Sequence, residues 1–239
     1  MNDKVIALGY KILNSKIFSR IFRSYKLIWE LAGLTKRTAM DAVLYGVKDE
    51  QEFWSSGERI AEKLRKFVDK NSIVLDVGCG IGRIERFLAP YCREIHCVDV
   101  SRRMIKFAKE NLKDYKNVFF YFNNGKDLRI FPDNKFDFVF SILTLQHLEK
   151  EDAYIYITEM HRVLKPNGRI YLQFPNFISD KVFKWFVDYA KKGSRHIARV
   201  RGYTVPEVEK IMTSIGFADL DVRIEGKERE DIVVIGRKI

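Results

Sequence analysis

The stretch Val74-Leu75-Asp76-Val77-Gly78-Cys79-Gly80-Ile81-Gly82 decides how the rest of the chain is read. It begins as a short apolar run and ends in three glycines at alternate positions. Such a run predicts a buried strand, and glycines at its end predict a turn whose backbone a ligand can approach closely. Dinucleotide-binding turns use the spacing G-x-G-x-x-G and place a pyrophosphate at a helix N-terminus. Here the spacing is G-x-G-x-G, with Asp76 two residues before the first glycine. A carboxylate at the mouth of the turn repels pyrophosphate and attracts an ammonium or a sulfonium. The charge therefore points to a cofactor that carries an amino acid.

Outward from this turn, strand-like and helix-like segments alternate. Ile84–Pro90 reads as a helix, Glu94–Val98 as a strand, Arg103–Leu112 as a helix, and Val118–Phe122 and Phe136–Ser141 as strands. Asp152–Leu164 follows as a helix and Arg169–Phe174 as a fifth strand. Pro206–Ile215 is helical with Gly216 as its stop, and Leu220–Ile224 and Ile232–Ile235 close the chain as a strand pair. This order predicts an α/β, Rossmann-like, doubly wound sheet of seven mostly parallel strands with helices on both faces. Asp99 ends the second strand about twenty residues beyond the glycines, where an acid can accept hydrogen bonds from ribose hydroxyls.

The segments flanking the alternation are different. Residues 1–70 read as a helical cap, with Ile17, Phe18, Ile21, Phe22, Tyr25, Ile28 and Trp29 on one face and Gly33 as a stop. A second helix is expected from Ser55, which has capping-box spacing to Glu58, with Ile60, Leu64, Phe67 and Val68 on its buried side. Residues 71–239 form the main domain, interrupted at 176–202 by an aromatic, basic helical lid.

The motifs D-V-G-C-G-I-G (76–82) and V-D-V-S (98–101) resemble the first two motifs of class I S-adenosylmethionine-dependent methyltransferases. The resemblance is to the small-molecule enzymes related to quinone-biosynthesis methyltransferases. It continues through Asn124-Gly125-Lys126-Asp127-Leu128, Phe131–Asp137, Leu145-Gln146-His147-Leu148 and Arg162–Gly168, covering approximately residues 70–175. It implies that Gly78, Cys79, Gly80 and Gly82 lie by the methionine part of the cofactor, with Asp76 near its ammonium. Asp99 would hold both ribose hydroxyls, Val100 and Met104 would pack beside the adenine, and Asn124 and Gly125 would contact that ring. Ser141 would offer its carbonyl to the ammonium. Asn167 stands where the family commonly has glycine, and asparagine tolerates the left-handed turn needed there.

Methyl transfer from a sulfonium is an in-line displacement for which placement can suffice. A hydroxyl or carbon-acid acceptor needs a general base, and His147 is the candidate by its place after the fourth strand. It could equally be a packed histidine. His161 and His196 are weaker candidates, and His161 reads as structural.

Composition narrows the partners without naming them. A formal net charge of +11 attracts anions, so a phosphate-bearing acceptor, an RNA or an anionic membrane surface is open alongside a small metabolite. Solvated helix faces account for the same lysines and arginines. The first helix could lie on a membrane or pack on its own domain. No Asn/Asp-Pro-Pro-aromatic motif of amino-group methylators is present; Ser141-Ile142-Leu143-Thr144 occupies that region. Cys79, Cys92 and Cys97 lack metal-site spacing, so no metal is expected, and their odd number fits reduced thiols in a cytoplasmic protein. A non-catalytic cofactor-binding protein and an NAD(P)-dependent oxidoreductase are the remaining alternatives.

Overall fold

β1 (Ile73–Val77) lies inside a seven-stranded sheet of order β3-β2-β1-β4-β5-β7-β6. Its neighbours are β2 (Glu94–Asp99) and β4 (Phe136–Ser141), both parallel to it. β3 (Val118–Phe122) and β5 (Leu164–Phe174) extend the parallel set, and β7 (Asp231–Lys238) runs antiparallel to β5 and to β6 (Phe217–Glu225). The computed structural model describes residues 25–44, 46–192, 199–227 and 229–239. The predicted basic and apolar face from Lys4 to Arg23, including Ile17, Phe18, Ile21 and Phe22, lies outside the described residues, as does His196.

The chain walks from β1 to β3 in one direction, then crosses back to β4 and continues to β5 on the other side. At such a reversal the connections leaving β1 and β4 part, and a crevice opens outside the carboxyl ends of the strands. Everything functional described below sits there.

Alternating side chains fill the two faces. Leu75, Val77 and Val139 join Ile157 and Met160 of α6 (Lys150–Val163) and Val208 and Met212 of α8 (Val205–Ile215) on one side. Val74, Phe138 and Phe140 join Leu64 of α3 (Glu50–Leu64), Leu88 of α4 (Glu85–Leu88) and Ile105 of α5 (Arg102–Asn111) on the other.

Three boundaries depart from the sequence reading. α3 begins at Glu50, not after Ser55, because Asp49 caps it by accepting from the Glu52 N–H at 2.8 Å. Ser55 lies inside this helix, its hydroxyl donating back to the Glu52 carbonyl. Second, a short helix α2 (Lys36–Val43) follows α1 (Tyr25–Ala32), capped by Thr35 and Thr38 rather than by an acid. Third, β5 starts at Leu164, opposite Phe136, and bulges through Pro166-Asn167-Gly168 before Arg169 pairs with Phe138. Asn167 takes φ 64°, the left-handed conformation expected of it. α8 ends as read, at Gly216 with φ 110°. α7 (Asp180–Lys192) occupies the segment after β5.

Candidate active site

The glycine turn is folded onto the end of β2: the N–H groups of Gly78 and Cys79 both donate to the Val98 carbonyl, at 2.8 and 3.1 Å. Gly78 has φ 91°, and a Cβ there would overlap the Thr144 side chain, whose own Cβ is 2.7 Å away. Gly80 has φ 56° and donates its N–H to Asp99 Oδ2 at 3.0 Å. Gly78 and Gly80 line a cleft of ≈ 820 Å³, open mouth included, together with Asp99, Val100, Met104 and Gly125. Gly82 does not line it. It lets the turn approach α5, where an added Cβ would come within 2.6 Å of Leu112 Cδ1.

Asp99 is held from two directions, Oδ2 by Gly80 and Oδ1 by the Ser101 N–H at 2.8 Å. Burial pushes its carboxyl up to about 6, against the pull of these backbone donors. The Ser101 hydroxyl caps α5 by accepting from the Met104 N–H, which sets Met104 against the cleft.

On the far side of β2 the cleft wall is Asn123 and Gly125, not Asn124. Asn123 Oδ1 accepts from Tyr156 Oη at 2.8 Å and from the Gly125 N–H, and its amide donates to the Asp127 carbonyl at 2.7 Å. Asn124 turns outward, its Oδ1 accepting from Lys126 and Asp127 N–H groups. Two adjacent asparagines at a strand end look alike in sequence; the phase of β3 separates them.

Asp76 is the main departure from the electrostatic reading. It is 3% exposed and lies outside the cleft wall. Burial, and then the charge of buried Glu85, hold its carboxyl well above the usual carboxylate range. The Arg83 guanidinium is buried near both acids, donates to Ser56 Oγ at 2.8 Å, and is lowered to about 10 by burial. This cluster lies buried beneath the turn, off the cleft wall. Cys79 is also buried, with its thiol raised by burial, and Ser141 uses its hydroxyl to tie β4 to the Val77 carbonyl at 2.8 Å. Neither side chain lines the cleft; Ile142 does.

The cleft continues past Leu143, which has φ 60°, to the 3-10 turn Leu145–His147. His147 is on the wall, edge-on to Trp29 of α1 with ring centroids 4.9 Å apart. Arg229 donates to Gln146 Oε1 at 2.7 Å, which fixes that amide, and Gln146 Nε2 lies 3.0 Å from His147 Nε2. An amide N–H donates only, so this contact makes Nε2 the acceptor and places the ring proton on Nδ1. Arg201 braces the same turn through the His147 carbonyl, at 2.6 Å. His161 meets Phe217 edge-on, with ring centroids 4.9 Å apart, and does not line the cleft.

Trp29 and Tyr25 were not anticipated as wall residues. The Tyr25 hydroxyl accepts from the Glu149 N–H at 2.8 Å and donates to Asp152 at 3.1 Å, which latches α1 to the start of α6. Glu30 accepts from the Arg102 and Arg103 N–H groups at the head of α5. α1 thus spans the cleft from α5 to α6. Val43 closes it over Gly80, 3.1 Å from where that glycine would carry a Cβ. The periodicity of α1 marked its apolar face, but nothing in the sequence said what that face would cover. Among the described residues no lysine or arginine lines the cleft. No cluster of potential metal ligands occurs among them either.

A family profile described as a methyltransferase domain matches residues 75–172, which hold β1 to β5 and the glycine turn. Over these residues the chain carries a methyltransferase domain, set in the seven-stranded fold of class I S-adenosylmethionine-dependent methyltransferases. It is 34% identical over 97 residues to a demethylmenaquinone methyltransferase of Tropheryma whipplei, a match covering 41% of this chain and 39% of that one. It is 28% identical over 179 residues to a phosphoethanolamine N-methyltransferase of Triticum aestivum, covering 71% of this chain and 33% of that one. The chain therefore spans less than half the length of these curated relatives. A crystal structure of an S-adenosylmethionine-dependent methyltransferase from Methanosarcina mazei shares the fold, with TM-score 0.60, 19% identity, and coverage of 74% of this chain and 97% of that one.

Proposed function

We propose that this methyltransferase-family chain transfers a methyl group from S-adenosylmethionine to an uncharged, apolar acceptor that enters between Trp29 and His147. The observation that carries the acceptor class is the cleft wall. Its ionised group is Asp99, and its acceptor end is built from Trp29, Val43, Leu143 and Leu148, with no lysine or arginine among the described residues. A phosphate buried against such a wall loses hydration without gaining a partner, a cost of several kcal/mol. The quinone-directed relative fits this wall better than the phosphoethanolamine-directed one. Among the described residues the lysines and arginines lie off the cleft wall.

The residues present fit the cofactor. Asp99 offers a carboxylate to a pair of ribose hydroxyls, Val100 and Met104 give an apolar surface for a purine, and Gly78 and Gly80 leave the backbone open beside them. S-adenosylmethionine supplies, when bound, an electrophilic methyl on a sulfonium. The chain's part is to place the acceptor in line and keep water out, which Trp29 and Val43 do by roofing the cleft. His147 takes the acceptor's proton at Nε2, the acceptor displacing the Gln146 amide from that nitrogen. Of the helical cap read at residues 1–70, Tyr25, Trp29, Ala42 and Val43 form part of this wall, whereas no described residue of 176–202 does.

Incubation with radiolabelled S-adenosylmethionine, offering a substituted naphthoquinol and phosphoethanolamine separately, tests the reading. Label is expected in the quinol alone. Label in phosphoethanolamine alone would overturn the acceptor class. Tight S-adenosylhomocysteine binding without transfer to a broad set of apolar acceptors would favour a binding protein.

A further inference from the structure

The side of α7 turned away from the sheet is apolar and bare. Val182 is its buried residue, whereas Phe183 and Phe186 are 49% and 51% exposed and Ile178, just ahead of the helix, is 72% exposed. The rings of Phe177, Phe183 and Phe186 gather into one patch with centroids 5.3 to 6.0 Å apart. At 3.6 residues per turn Phe183, Phe186, Val187 and Ala190 share one outward stripe; Lys184 and Lys191 run along its border with Asp180 at the helix start, and Asp188 lies beyond them. No described acid pairs with Lys184, Lys191 or Lys192. Exposed aromatic area of this kind marks an interaction surface rather than ordinary solvent-facing helix.

Its chemistry selects the occupant. Phe177 meets Phe183 and Phe186 edge-on, at 77° and 79°, and those two tilt by 31°, so the rings form one apolar cluster rather than a row of parallel platforms for successive nucleobases. A second copy would bring the same lysines against these, on a chain already at +11. An apolar stripe with a lysine border matches an anionic bilayer, in which rings enter the acyl boundary and ammonium groups meet phosphates. The helix is also tied to the cleft: Arg229 lies over the Trp185 ring at 5.9 Å and donates to Gln146, beside His147.

We propose that α7, with Phe177 and Ile178 ahead of it, docks the protein on an anionic lipid surface. The surface is independent of the acceptor class, and its test uses neither cofactor nor acceptor. The full chain is sedimented with phosphatidylcholine vesicles with and without phosphatidylglycerol, at low and high salt. Three proteins are compared: wild type, Phe183→Ser/Phe186→Ser, and Lys184→Glu/Lys191→Glu. Wild type is expected to pellet with the anionic vesicles, more weakly at high salt, and both variants to bind at least about tenfold more weakly. Their far-UV circular dichroism and Tm should match wild type, which shows that they fold. Wild type left in the supernatant, or variants pelleting like wild type, would overturn the proposal. So would a vesicle-free dimer that the phenylalanine variant abolishes, or binding of a short RNA that depends on the same two rings.

Discussion

At Asp99, burial and hydrogen bonding act on one carboxyl in opposite directions, and burial wins, leaving it at about 6. Ribose hydroxyls donate to the ionised form, so S-adenosylhomocysteine should bind more tightly as pH rises through 6 and level off above it. At pH 5 about one carboxyl in ten is ionised, and affinity should be about tenfold weaker than at pH 8. The native state also holds this proton between the unfolded value, 3.8, and about 6. Its contribution to stability is therefore largest below that window, falls as pH rises through it, and is flat above. Titrations in Asp99→Asn should lose this pH dependence of binding; its persistence would place the titrating group elsewhere. For His147→Ala we expect turnover to fall by roughly 10²–10⁴ with cofactor affinity unchanged. A rate within threefold of wild type would leave the ring as packing for Trp29. The place of Asp99 on the cleft wall could be read from sequence because a strand end fixes where its side chain goes. Asp76 could not, since one residue's phase in β1 turns it from the crevice into the core beside Glu85.

Among the elements, α3 packs closely on the chain that leaves the glycine turn, although none of its residues lines the cleft. Gly57 lies against the chain leaving the glycine turn, where an added Cβ would overlap the Arg83 carbonyl and sit 2.8 Å from its carbon. Backbone cannot swing aside as a side chain can, so Gly57→Ala should cost about 2–4 kcal/mol and lower the Tm. Gly226→Ala is the control: φ is 85° but nothing lies within 4 Å, so only backbone strain of about 1 kcal/mol is expected. Equal thermal shifts for the two would remove the packing argument. Sequence reading placed the strands well because β-branched and aromatic runs bounded by glycine or asparagine have few alternatives. It misplaced the start of α3 because two capping patterns compete there. The Asp49 carboxylate both accepts from Glu52 and sits by the positive end of the helix, which the neutral Ser55 cannot match.

Across the whole molecule, strand order creates the crevice, and the crevice is built differently from the rest of the surface. The chain carries +11, yet the cleft wall holds a carboxylate and apolar side chains. Net charge, which any sequence reveals, therefore does not describe this wall: it reports surfaces outside the cleft, α7 included. Trp29 and Tyr25 reach the cleft across more than a hundred residues of chain, through contacts that no local pattern records. The Gly78, Gly80 and Asp99 part of the wall was legible because it follows the ends of β1 and β2. The acceptor side was not, because α1, the Leu145–His147 turn and Arg201 meet only in the folded chain.

The central claim is that the cofactor's adenosine and ribose occupy the cleft between the glycine turn and Asp99. Calorimetric titration of S-adenosylhomocysteine into wild type and Asp99→Ala tests it most directly, with NAD as the competing ligand. The account predicts one site in wild type, no response to NAD, and binding weaker by about 1–3 kcal/mol in the variant. Equal affinity in the two proteins, or binding of NAD where S-adenosylhomocysteine gives no heat, would contradict it.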